Sequence, residues 1–530
     1  MSDVPTIARS SAIVALGTAA SRVTGFARVA AVAYALGVTT VAGVYSYANE
    51  TPNIVYELLL GGVLTATLVP FFVRQFETHD DEGTSAVFTG ALVVLAVITV
   101  LGVLLAPVIV DLYTLRVQGA DRADQQELAT AFLRLFMPQI FFYGLTALAT
   151  GVLNARRRYA AAAFAPVLNN VVVVAVFLTL ARVADDPISV ERMLGDSTLV
   201  LLLGLGTTAG VVVMALVLVP AMRAAGVHLR FVFDLRNRAV VHLVRLSGWS
   251  AGYVVANQLA LWVVLVLANG VDGGAFAYLS AYAFFQLPHG LFAVSIMTTL
   301  TPEMASAAAS GDAAALRARL SFGLRIVAVV VLPASAVLVG LARPLVVALL
   351  QRGAFDTADA TVVAHTLALF AVGILPFSMY LLTLRAFYAQ QDTRTPFLVN
   401  CVENAANIAL AFPLFAWLEI PGLALAFSGA YVVGVILALA VARIRLAGID
   451  GRRIASVAGR SAIVALGIGA ATWGTGRVIG YERPGDALVT LAVGGLLAAV
   501  VFVAGSWILR IRELTSLRSI ARRTPTPEIV

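Results

Sequence analysis

The chain has 530 residues, of which 60% are hydrophobic and 12% are charged, whereas a soluble domain typically carries about 25% charged residues. With a mean hydropathy of +0.93, this composition excludes an ordinary soluble enzyme, because a water-facing surface needs many charges of both signs. The net charge of +7 does not indicate nucleic-acid binding, since the arginines lie in short loops beside apolar segments, where membrane topology explains them better.

Apolar runs of about 20 residues, the length at which a helix crosses a bilayer, recur along the whole chain. We therefore predict an all-α integral membrane protein with fourteen transmembrane helices, called spans 1 to 14 in chain order. Span 1 is not expected to be a cleaved signal peptide, because Arg22 and Arg28 interrupt it and many spans follow. The predicted spans are 10–36, 41–72, 86–113, 127–151, 161–181, 198–222, 239–268, 274–300, 320–342, 361–387, 396–418, 421–442, 459–480 and 486–509.

The arginines are divided unequally between the two sides of the predicted membrane. If both termini lie inside, 21 arginines fall in the inward tails and loops and 8 in the outward loops. Cytoplasmic loops carry the excess of basic residues, so both termini are predicted to be cytoplasmic, provided that the number of spans is even.

Charged residues interrupt the first two spans. An arginine at the bilayer centre costs about 2.5–3.5 kcal/mol, so Arg22 and Arg28 in span 1 should face a cavity or a partner. In span 2, Glu50, Asn53 and Glu57 are spaced i, i+3 and i+7 and form one stripe. Two arginines beside two glutamates predict a charge-balanced, water-accessible substrate site. The alternative is a structural ion-pair lock between spans 1 and 2.

The two arginines of span 1 cannot share one narrow face, because residues six apart point about 120° away from each other on a helix. Gly25 lies between them, at a position where the helix can bend or unwind. Unwinding there would turn both guanidinium groups and some free backbone donors toward an anion.

Span 11 carries a second polar stripe, formed by Asn400, Glu403, Asn404 and Asn407 at i, i+3, i+4 and i+7. One carboxylate and several amide oxygens form the hard-oxygen surface that a small cation prefers. We therefore predict ion binding by Glu403, Asn404 and Asn407. A polar clamp between helices accounts for the stripe equally well.

Matching positions across the chain are separated by a nearly constant offset of about 234 residues, which indicates an internal duplication, although apolar low-complexity sequence also produces chance matches. The matched pairs are Pro52/Pro288, Pro70/Pro302, Asn154/Tyr388 and Asn170/Asn404, which are 236, 232, 234 and 234 residues apart.

The duplication divides spans 1–6 from spans 7–12 and leaves two spans at the end. Six spans per lobe is an even number, so the lobes are predicted to be parallel repeats, as in transporters with a central site. The predicted regions are an N-terminal lobe at 1–225, a C-terminal lobe at 226–446, spans 13 and 14 at 447–510, and a short basic cytoplasmic tail at 511–530.

Several kinds of chemistry lack the residues that they need. All 36 basic residues are arginine, which excludes a Walker phosphate loop, a Schiff base and a lysine general base. Cys401 is the only cysteine, so neither a disulfide framework nor a cysteine-based metal site is expected. The five histidines are scattered and no HExxH motif occurs, so we predict no catalytic residue, no metal and no cofactor.

Seven segments resemble, in their order and spacing, the motifs of the MurJ (MviN) family of lipid II flippases, and the resemblance covers most of 10–510. The segments are Ser21-Arg-Val-Thr-Gly-Phe-Ala-Arg28, Pro52-Asn53, Thr65-Ala-Thr-Leu-Val-Pro70, Gly151-Val-Leu-Asn-Ala-Arg-Arg-Arg-Tyr159, Gln286-Leu-Pro-His-Gly290, Leu350-Gln-Arg-Gly-Ala-Phe355 and Phe387-Tyr-Ala-Gln-Gln-Asp-Thr-Arg-Thr-Pro396.

The resemblance implies a member of the multidrug/oligosaccharidyl-lipid/polysaccharide exporter superfamily, with two six-helix lobes and two further C-terminal helices. Such a protein moves undecaprenyl-pyrophosphate-linked disaccharide-pentapeptide from the inner to the outer leaflet of the bacterial cytoplasmic membrane, for peptidoglycan synthesis and cell shape. It also implies that the family's cavity arginines of the first helix are Arg22 and Arg28. Two further cavity arginines of the family would fall near Tyr56 and Ala283, and both are absent from this sequence. In the family an acidic residue usually follows the second arginine of the first helix, and here that position is Val29.

Because these arginines are absent, the resemblance specifies the substrate less closely than it specifies the fold. The expected partners are lipid II, membrane lipids and cell-wall synthesis proteins, with no nucleic acid, and transport would be coupled to the membrane potential or to a monovalent cation. The alternatives are an exporter of another lipid-linked oligosaccharide or a drug, and a non-transporting membrane scaffold whose basic tail docks partners. The polar stripes inside the spans argue against the scaffold.

Overall fold

The computed structural model describes residues 4–58, 69–77, 81–118, 122–184, 188–227, 230–232, 234, 248–511 and 513. Helices make up most of these ranges and no β-strand occurs in them, which confirms the all-α prediction. By their contacts, the residues form two compact units. The first unit comprises Met1–Phe276 and Arg352–Asp356, and the second comprises Ala277–Gln351 and Thr357–Val530.

The first unit contains the helices that carry the charged residues of spans 1 and 2. Within the described ranges its helices are α1 (Val4–Leu36), α2 (Thr40–Tyr56), α3 (Val69–Glu77), α4 (Asp81–Leu104), α5 (Ala106–Tyr113), α6 (Arg122–Phe136), α7 (Gln139–Ala155), α8 (Tyr159–Val183), α9 (Val190–Gly195), α10 (Ser197–Leu216), α11 (Leu218–Ala224) and α12 (Gly248–Ala268).

Helix α13 (Gly274–Pro288) begins at the end of the first unit and continues into the second. The second unit continues with a π-helical segment (His289–Ala293), α14 (Val294–Ala309), α15 (Ala313–Gly340), α16 (Ala342–Leu350), α17 (Thr357–Val372), α18 (Ile374–Ala389), α19 (Arg394–Leu418), α20 (Ile420–Arg445), α21 (Gly451–Ile479) and α22 (Pro484–Ile508).

Several predicted spans consist of two helices joined end to end. Such breaks fall at Leu105 between α4 and α5 and at Val217 between α10 and α11, whereas Leu341 separates α15 from α16 at the end of the span predicted at 320–342. Helices α17 and α18 meet at Gly373 with a bend of 44°. A side chain at Gly373 would clash with Ser428 of α20, so the close approach of α20 requires glycine at the bend.

The protein crosses the membrane many times. Among the described residues, 11 helices are long and apolar enough to span it, or up to 12 if the bent pair α17 and α18 is one span. Helix α1 is not among them because Arg22 and Arg28 interrupt it, and α2 is not among them because its helix, Thr40–Tyr56, has only 17 residues and 59–68 lie outside the described ranges. The count of fourteen therefore stays a prediction.

The two compact units are defined by packing, whereas the predicted lobes follow the sequence repeat. The lobe boundaries at 225/226 and 446/447 stay predictions, and most of the predicted basic tail at 511–530 lies outside the described residues. One feature common to the two halves of the repeat is local. The paired prolines, Pro52 and Pro288, are both followed by π-helical residues, at 57–58 and at His289–Ala293.

Small residues bring the first helix close to its neighbour in the first unit. Helix α1 packs along α8, and a Cβ at Gly17 would lie 2.6 Å from that of Ala163. Without a hydrophobic driving force in lipid, such close backbone packing is what holds helices together. The far end of α1 is fixed by the segment Arg352–Asp356, where the Ala354 amide donates to the Tyr34 carbonyl at 2.9 Å.

The second unit has an aromatic core and a buried ion pair. Phe285 lies 5.4 Å from Phe377 and 5.3 Å from Phe427 between ring centroids, so α13, α18 and α20 meet through aromatic rings. Near the end of the described chain, the Arg325 guanidinium donates to the Glu513 carboxylate at 2.8 Å. Both side chains are almost fully buried, so this pair ties the residues after α22 to α15.

Candidate functional site

The structure brings Arg28 of α1 against the polar face of α2. Its side chain hydrogen-bonds the Tyr45 hydroxyl, and its charge acts on Glu50 and on Tyr143 of α7. Arg28 itself is partly buried. A guanidinium that is neither fully exposed nor fully enclosed keeps donors available for a further anion.

The predicted stripe on α2 lies on this same face. The Asn53 amide donates to the Glu50 carboxylate at 3.5 Å and also hydrogen-bonds Tyr143. The charge of Glu57 acts on Glu50, so the two carboxylates are neighbours. All three stripe residues are partly buried. The cluster therefore joins one guanidinium to two carboxylates, with an amide and two phenols as neutral hydrogen-bonding groups. We call it the mixed-charge cluster; its members are Arg28, Tyr45, Glu50, Asn53, Glu57 and Tyr143.

Arg22 lies apart from this cluster. Its side chain is exposed, and within the described ranges no hydrogen bond or ion pair joins it to another residue. Helix α1 is continuous through Gly25, so the unwinding expected there does not occur in this structure. The separation of the two arginines follows from the helix itself, which turns side chains six residues apart to different faces.

Asn170 of α8 fixes the stretch of α1 between the two arginines. Its amide donates to the Ser21 carbonyl at 3.2 Å and to the Thr24 hydroxyl at 3.1 Å. Both acceptors lie within a turn of Arg22 or Arg28, so α8 fixes the rotation of α1 about its axis. The rotation in turn determines that Arg28, and not Arg22, faces α2.

A pair of tyrosines lies where the family resemblance expects a further arginine, near Tyr56. The rings of Tyr56 and Tyr143 lie 5.7 Å apart between centroids. An aromatic pair therefore stands here in place of a guanidinium. Ala283, at the second such position, is partly buried in α13 of the second unit.

The second predicted stripe lies on α19 in the second unit and is buried. Asn400 is 0%, Glu403 1%, Asn404 6% and Asn407 6% exposed. The Asn404 amide donates to the Asn400 carbonyl one turn away at 3.0 Å. Glu403 packs against α20 at Gly434, where an added Cβ would lie 2.9 Å from its Cγ.

Buried oxygens of this stripe without a hydrogen-bond partner among the described residues include Glu403 Oε2 and Asn407 Oδ1. A buried acceptor without a partner loses its hydration without compensation, which typically costs about 1–3 kcal/mol. The stripe thus offers oxygen ligands inside the protein. The described residues contain no group of three or more His, Cys, Asp or Glu side chains that could hold a metal ion.

The sequence patterns did not predict two residues of the mixed-charge cluster, Tyr45 and Tyr143, or the nearby Asn170. Tyr45 and Tyr143 lie on different helices and outside the spacing of the α2 stripe, and Asn170 stands in a largely apolar helix. Only the position of Asn170 opposite Asn404 in the repeat marked it beforehand. Outside the cluster, His289 is a packing residue, with Nδ1 2.9 Å from the Ser378 hydroxyl.

Comparison with known proteins gives one consistent family. The family model described as "Lipid II flippase MurJ" matches residues 32–492. A "Probable lipid II flippase MurJ" of Rhizobium tropici is 30% identical over 416 residues, which cover 77% of this chain and 76% of the relative. The protein of the same description from Rhizobium meliloti (strain 1021) is 31% identical over 417 residues, covering 77% and 75%. A "Lipid II flippase MurJ" of Burkholderia cenocepacia is 27% identical over 415 residues, covering 76% of each.

Solved structures agree on the fold. A structure described as "Lipid II flippase MurJ, inward closed conformation" superposes with a TM-score of 0.76 at 19% identity and covers 95% of this chain and 99% of its own. An inward-facing multidrug resistance MATE family transporter of the MOP superfamily gives 0.65 at 14% identity, covering 81% and 96%. At such identities the likeness concerns the fold alone.

Proposed function

The chain belongs to the lipid II flippase MurJ family, and from this membership we propose that it moves lipid II from the inner to the outer leaflet of the bacterial cytoplasmic membrane by alternating access. The family match over residues 32–492 supports the activity. The protein would act as a transporter without covalent chemistry, in peptidoglycan synthesis, with both termini in the cytoplasm. The excess of arginines in the loops predicted to face inward supports that orientation.

The observation that carries the substrate assignment is the position of Arg28 in the mixed-charge cluster. A lipid-linked pyrophosphate carries roughly two negative charges, and an unpaired anion in a low-dielectric path would be very costly. A guanidinium stays charged and grips phosphate oxygens with paired N–H donors. Arg28 is held on the polar face of α2 and has more N–H donors than its bond to Tyr45 uses. The exposed Arg22 would supply a second guanidinium when the head group binds.

The two carboxylates of the cluster would make release possible. Glu50 attracts Arg28 when no substrate is bound, so the pyrophosphate must compete with it for the same guanidinium. A binding site for a transported anion must hold it firmly enough to capture it and weakly enough to let it go. Glu50, Glu57 and the amide of Asn53 would thus set the affinity for the substrate rather than bind it alone.

The energy for the outward movement would come from the membrane potential. An inside-negative potential favours outward movement of negative charge by about 2.3 kcal/mol per charge per 100 mV, or about 4–5 kcal/mol for two charges. The arginines remain with the protein in this scheme. They need only capture and shield the head group.

A monovalent cation bound by Glu403, Asn404 and Asn407 would couple transport to an ion gradient. A purely structural polar clamp would satisfy its buried oxygens, but Glu403 Oε2 and Asn407 Oδ1 have no partner among the described residues. These two oxygens favour a cation over a clamp. A cation would supply the missing interaction and balance the buried carboxylate.

A second candidate substrate is another lipid-linked oligosaccharide or a drug. It is favoured by Tyr56 and Ala283, which stand where the family resemblance expects arginines, because lower positive charge weakens the argument for a pyrophosphate. A non-transporting scaffold is disfavoured, since a scaffold has no use for the charged residues inside α1 and α2. Cell-wall synthesis proteins remain proposed partners.

Depletion of the protein tests the assignment directly. We expect lipid II to accumulate in the inner leaflet and to become inaccessible to an externally added lipid II-cleaving toxin. Complementation by wild-type protein should restore outer-leaflet lipid II. Normal lipid II export in depleted cells, with accumulation of a different lipid-linked glycan, would support the second candidate instead.

The orientation has its own test. Tags at Arg157 and Arg452 should be cytoplasmic, and tags at Asp186, which lies outside the described residues, and at Glu482 should be external. Finding the tags at Arg157 and Asp186 on the same side would contradict the topology of fourteen spans.

A further inference from the structure

The ring of Tyr45 is buried and surrounded by other aromatic rings. It lies on α2 and is 3% exposed. Three phenylalanine rings stand almost perpendicular to it, Phe132 at 6.2 Å and Phe136 at 5.5 Å on α6, and Phe177 at 5.0 Å on α8, between centroids. Edge-to-face contacts of this kind are favourable beyond the burial of area, and they resist rotation of the ring. The place of the Tyr45 hydroxyl is therefore fixed by helices other than its own.

The hydroxyl of Tyr45 connects Arg28 to a third helix. Its oxygen lies 3.1 Å from the Thr207 hydroxyl on α10 and also hydrogen-bonds the Arg28 side chain. Arginine only donates, so the Tyr45 oxygen accepts from Arg28. Thr207 is 1% exposed, and either hydroxyl of the Tyr45–Thr207 pair can be the donor. The three side chains Arg28, Tyr45 and Thr207 thus form one hydrogen-bonded series.

The two neighbours of Arg28, the Glu50 carboxylate and the Tyr45 hydroxyl, affect its charge differently. The carboxylate of Glu50 attracts the guanidinium and also compensates its charge. A phenol oxygen accepts a hydrogen bond but carries no charge, so it can hold the guanidinium in place without neutralising it. A guanidinium has five N–H donors, so the bond to Tyr45 does not use all of them.

We propose that Tyr45 is the positioning residue of the substrate site: through its hydroxyl, with Thr207 behind it, it holds the Arg28 guanidinium ready to bind the pyrophosphate of a lipid-linked substrate. The proposal rests on the proposed function, because it assumes that Arg28 binds that group. Tyr45 acts through Arg28 and is enclosed by protein. Its loss should therefore weaken substrate binding without abolishing it.

The test compares Tyr45→Phe with Arg28→Ala in purified protein. Tyr45→Phe keeps the ring among the three phenylalanines and removes only the hydroxyl. Loss of a hydrogen bond to a charged group predicts about a tenfold lower affinity for lipid II, measured by native mass spectrometry or by ligand-dependent thermal shift. The transport rate at saturating lipid II should change much less, because Arg28 is still present.

Two further variants separate positioning from simple loss of packing. Thr207→Val should lower the affinity in the same direction by a smaller factor, and Tyr45→Phe in the Arg28→Ala background should lower it no further. Tyr113→Phe is the matched control, because Tyr113 is a buried tyrosine of the same unit that hydrogen-bonds Thr51 instead of Arg28. Its affinity for lipid II should equal that of the wild type.

The outcomes distinguish the positioning role of Tyr45 from the pyrophosphate-binding role of Arg28. If Arg28→Ala lowers the affinity and Tyr45→Phe does not, Tyr45 is structural only and the positioning proposal is overturned, while the proposed function stands. If Tyr45→Phe does not fold, Thr207→Val decides by the same criterion. If neither Arg28→Ala nor Tyr45→Phe changes the affinity, the pyrophosphate role of Arg28 is itself wrong.

Discussion

Helices α8 and α19 occupy matched positions in the sequence repeat, yet their asparagines do different things. Asn170 of α8 reaches across to the Ser21 carbonyl and the Thr24 hydroxyl of α1. Asn404, 234 positions later, donates to the Asn400 carbonyl of its own helix. A carboxylate, Glu403, precedes Asn404 in α19, whereas Asn169 precedes Asn170 in α8.

On the proposed function, this difference would let one repeat provide two kinds of site. In the first unit, Asn170 acts as a clamp: it holds α1 in the rotation that places Arg28 against the acidic face of α2. In the second unit, Asn404 donates within its own helix, and Glu403 Oε2 and Asn407 Oδ1 have no partner among the described residues. The first arrangement suits a large anion that is captured and released, and the second suits a small cation.

The largest expected effect is on Arg28. Arg28→Ala should abolish lipid II flipping while the protein still inserts and folds, because it removes the guanidinium that the cluster holds in place. Arg28→Lys should rescue partially, since the charge survives but the planar pair of donors does not. Outer-leaflet lipid II and protein level are measured together.

Arg22→Ala provides the comparison for that result. It should impair flipping less than Arg28→Ala, because Arg22 is exposed and lies apart from the cluster. Normal growth and lipid II export with both alanine variants at wild-type protein levels would instead support a structural ion-pair lock between the first two spans.

The second effect concerns Glu403. Glu403→Gln keeps the shape of the side chain and removes the charge, so transport should fall by about tenfold or more and lose its dependence on a monovalent cation, as loss of a buried charged ligand implies. The affinity for lipid II should be unchanged. Transport in proteoliposomes with imposed sodium or proton gradients is the measurement. If the wild type ignores both gradients and Glu403→Gln transports normally, the cation site does not exist.

The third effect separates the clamp from the ion site. Asn170→Leu should destabilise the protein by about 1–3 kcal/mol, because it removes the two hydrogen bonds that join α8 to α1. Its cation dependence should match that of the wild type, which makes it the control for Glu403→Gln. Thermal unfolding in detergent provides the stability. A change in cation dependence with unchanged stability would reverse the roles given to the two helices.

The smallest effect is at the start of α19. The Asp392 carboxylate, which lies just before α19, accepts from the Thr395 amide at 3.0 Å and pairs with Arg445. Burial acts to raise the pKa of Asp392, but the hydrogen bonds from Thr395 and Arg445 outweigh it and hold this pKa below its usual value. Asp392→Asn should therefore cost about 0.5–1 kcal/mol at neutral pH.

The sign of the pH dependence follows from the lowered pKa. The stabilisation by Asp392 is present above the unfolded value of about 3.9 and is lost as the pH falls through the lower folded value. The difference in unfolding temperature between wild type and Asp392→Asn should be constant near neutral pH and shrink in acid. A difference that grows in acid would contradict the assignment.

Sequence periodicity was sufficient to find what lies on a single helix. The spacing of Glu50, Asn53 and Glu57 gave one face of α2, and the spacing of the α19 residues gave a stripe that is buried in the structure. Angular spacing along one helix is a property of helical geometry, so it needs no knowledge of the neighbours. The same geometry separated Arg22 from Arg28. It did not show that α1 stays helical through Gly25, because the clamp from Asn170 comes from another helix.

By itself, the sequence determined the all-α membrane fold, the interruption of spans 1 and 2 by charge, and the family to which the chain belongs, because composition, local periodicity and motif order are properties of the linear chain. Only the tertiary structure decided that Arg28 rather than Arg22 meets α2, that Tyr45 links Arg28 to Thr207, and that Glu403 Oε2 has no partner among the described residues. Those contacts join helices far apart in sequence, and Tyr45 and Thr207 are separated by 162 positions. Periodicity fixes the direction of a side chain on its own helix, but the neighbour it meets depends on how the other helices pack.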